Sequence, residues 1–178
     1  MRAVRCFAAI LACLLVAAPL RAQKEKREPL TEAQIDQIRE TGLDPNARVV
    51  LYTKILDEHA ETIKGLASRV RSPGRSRRLD DEVQDFTALM DELGSNLDVF
   101  SKRKSDIRKA LKPLTEATER WLETLRALAA EPAFNLALKE AIESGEDLAG
   151  QAKTLLADQT EYFKLHKDQQ GQERAEPK

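Results

Sequence analysis

The chain of 178 residues carries 29 Lys and Arg against 30 Asp and Glu, with 42% hydrophobic but only 4% aromatic residues. Its length suits one domain, and its apolar content is too high for wholesale disorder. Seven glycines and few aromatics exclude a sandwich or barrel of many short strands. What remains is an all-α fold, an antiparallel bundle of long, coiled-coil-like helices.

The first segment reads as an address. Arg2 and Arg5 precede an apolar run from Cys6 to Ala18, and Leu20-Arg21-Ala22 ends on a small residue. The run is shorter than the roughly 20 residues that span a bilayer, and the pattern is that of a secretory signal peptide over residues 1–22, cut between Ala22 and Gln23. The alternatives are an uncleaved anchor and lipid attachment at Cys13. The latter leaves the apolar Leu14–Ala18 stretch behind the lipidated residue.

Cleavage changes the chemistry. Cys6 and Cys13, the only cysteines, leave with the segment. Disulfides, Cys-bound clusters and a Cys nucleophile are thereby excluded, and packing alone must hold the fold. Removing Arg2, Arg5 and Arg21, with no acid beside them, leaves 26 bases against 30 acids in 156 residues. There is no Asn-x-Ser/Thr site, which favours a bacterial envelope. The expected location is the periplasm or the exterior, with no transmembrane span after cleavage.

Residues 23–29 form a charged, flexible arm ahead of a single helical domain over 30–165. The first helix is predicted from Thr31 to Thr41, with Thr31 and Gln34 as a capping box and Leu30 and Ile35 as a staple. Gly42 suits the left-handed position after its last turn, with Leu43 folding back on Ile38. Asp44 caps and Pro45 opens a second helix reaching about Ser72, with a seam of Val49, Tyr52, Leu56, His59, Ile63, Leu66 and Val70. Ser72-Pro73-Gly74-Arg75-Ser76 is the clearest loop.

From Leu79 to Leu128 an apolar seam keeps steps of three and four without a slip, interrupted only by Lys104 and Thr118. Such continuity predicts one helix of about 50 residues, roughly 75 Å long, kinked at Pro113. A break near Lys104-Ser105 is the alternative, and yields a compact four-helix bundle. Pro132 opens the last helix, whose Ala141, Gly145 and Ala149 form a ridge of small residues. From His166 to Lys178 the sequence is a polar, disordered tail.

Neutral-pH proton transfer has only His59 and His166 to draw on. The first lies on a seam and reads as packing, and the second reads as solvated. No zinc, phosphate-loop or nucleophile-elbow motif occurs; the reading is non-enzymatic, without metal or cofactor. The charged clusters are sharper. Arg69, Arg71, Arg75, Arg77 and Arg78 crowd one turn and form the candidate anion or partner contact. Lys102, Arg103, Lys104, Arg108, Lys109 and Lys112 make a second patch. An exported protein points these at an anionic envelope component or an acidic protein rather than at nucleic acid. The long seam also allows self-association into a homo-oligomer.

Leu30-Thr31-Glu32-Ala33-Gln34 resembles the Leu-Thr-x-x-Gln motif of the CpxP/Spy-like periplasmic proteins. Leu114-Thr115-Glu116-Ala117-Thr118 is a near match, with Thr118 where Gln is expected. The resemblance covers about ten residues. It implies a small, exported, all-helical protein acting as an ATP-independent chaperone. That role is the alternative to an exported helical protein working through protein or envelope contacts.

Overall fold

The computed structural model describes residues 28–42, 44–69 and 72–171. The signal segment, its Ala22–Gln23 junction and most of the charged arm lie outside these residues, as do Leu43, Val70, Arg71 and 172–178. Among the described residues the fold is all-α: α1 (Glu32–Glu40), α2 (Pro45–Ser68), α3 (Arg75–Lys102), α4 (Arg108–Arg126) and α5 (Asn135–Leu165).

Local chemistry sets the first boundaries. Thr31 and Gln34 form the reciprocal capping box, the Thr31 N–H donating to Gln34 Oε1 at 2.9 Å. Gly42 takes a positive φ of 54°, as the left-handed end of a helix favours glycine. Arg48 then donates to Thr41 Oγ1 and to the Gly42 carbonyl, tying the end of α1 to α2. Asp44 accepts from the Asn46 and Ala47 N–H groups, with Pro45 in the first turn of α2. Two boundaries fall inside the expected ones: α2 ends at Ser68, and α5 starts at Asn135 behind a turn that holds Pro132 and the buried Phe134.

The single kinked helix over 79–128 does not form. The chain breaks at Arg103–Ile107, where Lys104 has a φ of 55°, while Pro113 sits within α4. A 75 Å rod would leave each half of its seam covered on one side only. Folding back lets both halves share one core, and Phe86 of α3 meets Trp121 of α4 edge-on at 5.7 Å. The seam keeps its phase because Phe100 and Ile107, both buried, stand one heptad apart across the loop. Lys102, Arg103 and Lys104 favour a helix end there, since cations complement exposed carbonyls.

The four long helices run up, down, up, down. Packed pairs are α2 with α3, α4 with α5, α2 with α4, and α3 with α5. The first two pairs are antiparallel, as Tyr52–Glu92 and Lys153–Glu119 show. The last two are parallel: Asp57 meets Trp121, and Asp91 and Asp98 meet Ser144 and Gln151. The α3–α4 connection therefore crosses the bundle diagonal. The core runs through Leu56, Ile63, Leu79, Val83, Leu93, Leu111 and Ala141, all fully buried. α1 packs on α2 through Leu30 and Ile38 at the edge of this core.

The small-residue ridge, expected to admit another backbone, instead seats side chains at Gly145, those of Leu122 and Met90. A Cβ on Gly145 meets Leu122 Cδ2 at 3.0 Å, whereas one on Gly150 meets nothing within 4 Å. Gly150→Ala is expected to raise stability by about 1 kcal/mol in urea unfolding. Gly145→Ala must displace Leu122 and should gain clearly less.

Candidate functional site

The arginine-rich turn divides into inward and outward residues. Arg75 was expected in the solvent-facing contact set, but it is buried. Its Nε donates to the Leu66 carbonyl at 3.0 Å and its Nη2 to the Ala67 carbonyl, completing the end of α2. Its Nη1 pairs with Glu131, from the α4–α5 connection, which also accepts from Ser76 Oγ at 2.7 Å. The Arg75 guanidinium, helped by the Ser76 hydroxyl, lowers the Glu131 pKa from the usual carboxylate range. Arg75 thus locks three segments at one end of the bundle. Arg78 donates to Ser72 Oγ at 2.8 Å and braces the same turn. Arg69 and Arg77 are exposed, and Arg71 lies outside the described residues.

The second cluster lies at the opposite end, on the α3–α4 corner. Two side-chain amides fix that corner by each meeting one donor and one acceptor of its backbone. Buried Gln159 of α5 accepts from the Ile107 N–H at 3.0 Å and donates to the Ser105 carbonyl at 2.8 Å. Asn46 of α2 donates to the Asp106 carbonyl at 2.8 Å and accepts from the Ala110 N–H at 3.3 Å. Asp106 binds Arg108 through both carboxylate oxygens, at 2.8 and 2.7 Å. The Arg108 hydrogen bonds hold the Asp106 pKa below its usual value. The guanidinium lies 4.7 Å from the Phe163 ring centre, and Lys104 Nζ lies 5.4 Å from that of Tyr162.

This leaves Lys102, Lys109 and Lys112 exposed and without an ion pair among the described residues. Lys104 stands beside them on its aromatic support. Of the six cations predicted as a patch, Arg108 is therefore spent internally, and four lysines surround the corner.

The histidines are both occupied. His59 Nδ1 lies 2.7 Å from Glu82 Oε1, across the α2–α3 interface. His166, expected to be solvated in a disordered tail, stacks on Tyr162 at 4.2 Å. Residues 167–169 form a short 3₁₀ turn, and Gln170 returns to the Phe163 carbonyl. Other polar pairs also join helices. Trp121 Nε1 donates to Asp57 at 2.7 Å, and Tyr52 donates to Glu92. Burial, reinforced by the acceptor Glu92, pushes the Tyr52 phenol well above its ordinary range.

Gln159 and Asn46 escaped the sequence reading, although each left a trace. Gln159 sits in the apolar stripe of Ala152, Leu155 and Phe163, where a polar side chain implies a buried partner. Asn46 was legible only as a residue behind a cap. Arg75 was masked by its basic neighbours. No His, Cys, Asp and Glu group among the described residues is arranged to hold a metal, and no described helix is long and apolar enough to cross a membrane. Compared with protein-family models, curated proteins and solved structures, the chain matches none.

Gln159→Leu strands a buried N–H and a buried carbonyl, so it should cost roughly 2–4 kcal/mol in urea unfolding. Asn46→Ala, at a half-buried site, should cost about 1 kcal/mol. The lowered Asp106 pKa carries a sign. Its stabilising tie to Arg108 is complete above the ordinary Asp pKa of about 3.9 and is lost as pH falls through the lower, folded-state value. Unfolding followed from pH 6 to about pH 2 should therefore show a smaller acid-induced loss in Asp106→Asn than in the parent.

Proposed function

We propose that this protein is exported and works without catalysis, through contact between its cationic α3–α4 corner and an anionic envelope component or acidic protein surface. Support for export comes from Arg2 and Arg5 ahead of an uncharged run ending at the small residue Ala22. The contact reading rests on one observation. Lys102, Lys104, Lys109 and Lys112 are displayed on a backbone corner that Gln159 and Asn46 hold from two different helices. A corner whose backbone is already fixed leaves only the lysine side chains to order on binding. The arginine turn is the weaker surface, because Arg75 and Arg78 are engaged in the fold itself.

The second reading, a chaperone similar to the CpxP/Spy-like proteins, draws on Leu30 to Gln34. Those residues act here as a capping box and an edge contact of the core. A holdase also needs open apolar surface for clients. Among the described residues the large exposed apolar side chains are Val50, Val99, Leu136 and Leu165, the last two at opposite ends of α5. Charge is accordingly the better-supported means of contact.

A lysine near an anionic surface contributes about 1 kcal/mol. Lys102→Gln combined with Lys104→Gln should weaken co-sedimentation with phosphatidylglycerol-containing vesicles about thirtyfold at low salt. Arg77→Gln should leave it nearly unchanged. Equal binding by the double variant and the parent rejects the corner as the contact surface.

A further inference from the structure

The outer face of the α4–α5 pair carries a shallow groove in two adjoining parts, of about 480 and 470 Å³. They meet at Leu156 and Thr160, which line both. Along the α4 wall the first part presents Lys109 and Lys112, and the second presents Glu116 and Glu119. The wall therefore reads two cations and then two carboxylates, one helical turn apart at each step. Glu119 reaches Lys153 of α5 at 3.0 Å, while Lys109, Lys112 and Glu116 enter no ion pair among the described residues.

The middle of the groove is less polar than its ends. Leu156 is half-buried against the core, and Ala157 is exposed beside it. Thr115 and Thr160 each turn their hydroxyl back to donate to a carbonyl of their own helix, at 2.7 and 2.6 Å. No donor in this strip is left seeking water.

We infer that this groove is the dimer interface of the protein, its occupant being a second copy in antiparallel orientation. The charge order itself selects that partner. A two-fold axis lying in the face, across the helices at the level of Leu114, superposes α4 on its own reverse. Lys112 of each copy then stands opposite Glu116 of the other, and Lys109 opposite Glu119. The same operation carries Lys153 on α5 toward Glu161, which stands equally far beyond Ala157. A two-fold interface must be self-complementary, and this stripe is so in four places on α4 alone. The apolar strip falls on the axis, where contact is closest. A parallel copy would set lysine against lysine, so like-charge repulsion fixes the orientation. Exposed pairs are individually weak and screened by salt, so the dimer is of moderate affinity and salt-sensitive. The inference shares Lys109 and Lys112 with the anionic-partner reading, but it stands on the groove and its charge order and is tested without Lys102 and Lys104.

Equilibrium sedimentation of the purified protein across micromolar concentrations provides the test. The parent should dimerise at low ionic strength and dissociate in high salt. K109E/K112E makes the α4 stripe uniformly acidic, and E116K/E119K makes it uniformly basic. Each should weaken self-association at least about tenfold, with helicity unchanged by circular dichroism. Mixing the two variants should restore a one-to-one heterodimer. A monomeric parent at low salt, or a dimer unmoved by either reversal, overturns the inference, as does failure of the mixture to associate. The Lys102→Gln/Lys104→Gln variant, which leaves the α4 stripe intact, should still dimerise, so failure of the dimer and failure of the vesicle contact are told apart.

Discussion

The five-residue reversal between α3 and α4 is the constraint on which the rest of the architecture depends. A chain turning inside a bundle end must give up helical hydrogen bonds, and buried backbone groups left unpaired are costly. Here the freed groups of Ser105, Asp106, Ile107 and Ala110 find two side-chain amides, Gln159 and Asn46, from helices on either side. An amide suits this task because it holds a donor and an acceptor on one rigid plane. The reversal lets the two halves of the long seam face each other, and Phe86 packs against Trp121 across the diagonal. Without the turn, neither half has a second partner.

Polar chemistry elsewhere serves the same end. Arg75 closes the other pole by joining the end of α2, the start of α3 and Glu131 ahead of α5. Between the poles, Tyr52–Glu92, His59–Glu82, Trp121–Asp57 and Gln151–Asp98 mark four interhelical registers. Such pairs add modest stability individually. Their larger effect is on specificity: a helix that slips by one turn loses its partner and leaves a half-buried polar group unmatched. A protein whose core is mostly leucine and alanine benefits from such registration, because apolar stripes of that kind tolerate alternative alignments.

This division of labour shapes the surface. Many charges near the interfaces are consumed by the fold, and two groups of those that remain outward stand together. The lysines of the corner sit at one tip. The stripe from Lys109 to Glu119 runs along the outer face of α4, with its order set by helical periodicity and its exposure by the packing of α4 on α2 and α5. Contact with other molecules through charge is compatible with a core that keeps nearly all its apolar surface to itself.

The sequence by itself determined what is local. The Thr31–Gln34 box, the Asp44-Pro45 start and the positive φ of Gly42 follow from capping and backbone sterics, and the apolar spacing identified most buried residues, though it passed over Ile55, Leu89 and Leu122. The ridge of small residues marked Gly145 as a tight position, although what fills it is the Leu122 side chain rather than a backbone. Tertiary structure decided what periodicity cannot encode. A seam that keeps phase across seven residues reads the same in a straight helix and in a reversal, so the break near Lys104-Ser105 stood only as the alternative until the backbone groups of the turn had partners. Arg75 and Gln159 acquired their roles from residues more than fifty positions away, Glu131 and Ser105. Charge order along α4 was written in the chain from the start. Its meaning as a self-complementary face came only when the bundle placed that stripe outward, because exposure is a property of packing rather than of spacing.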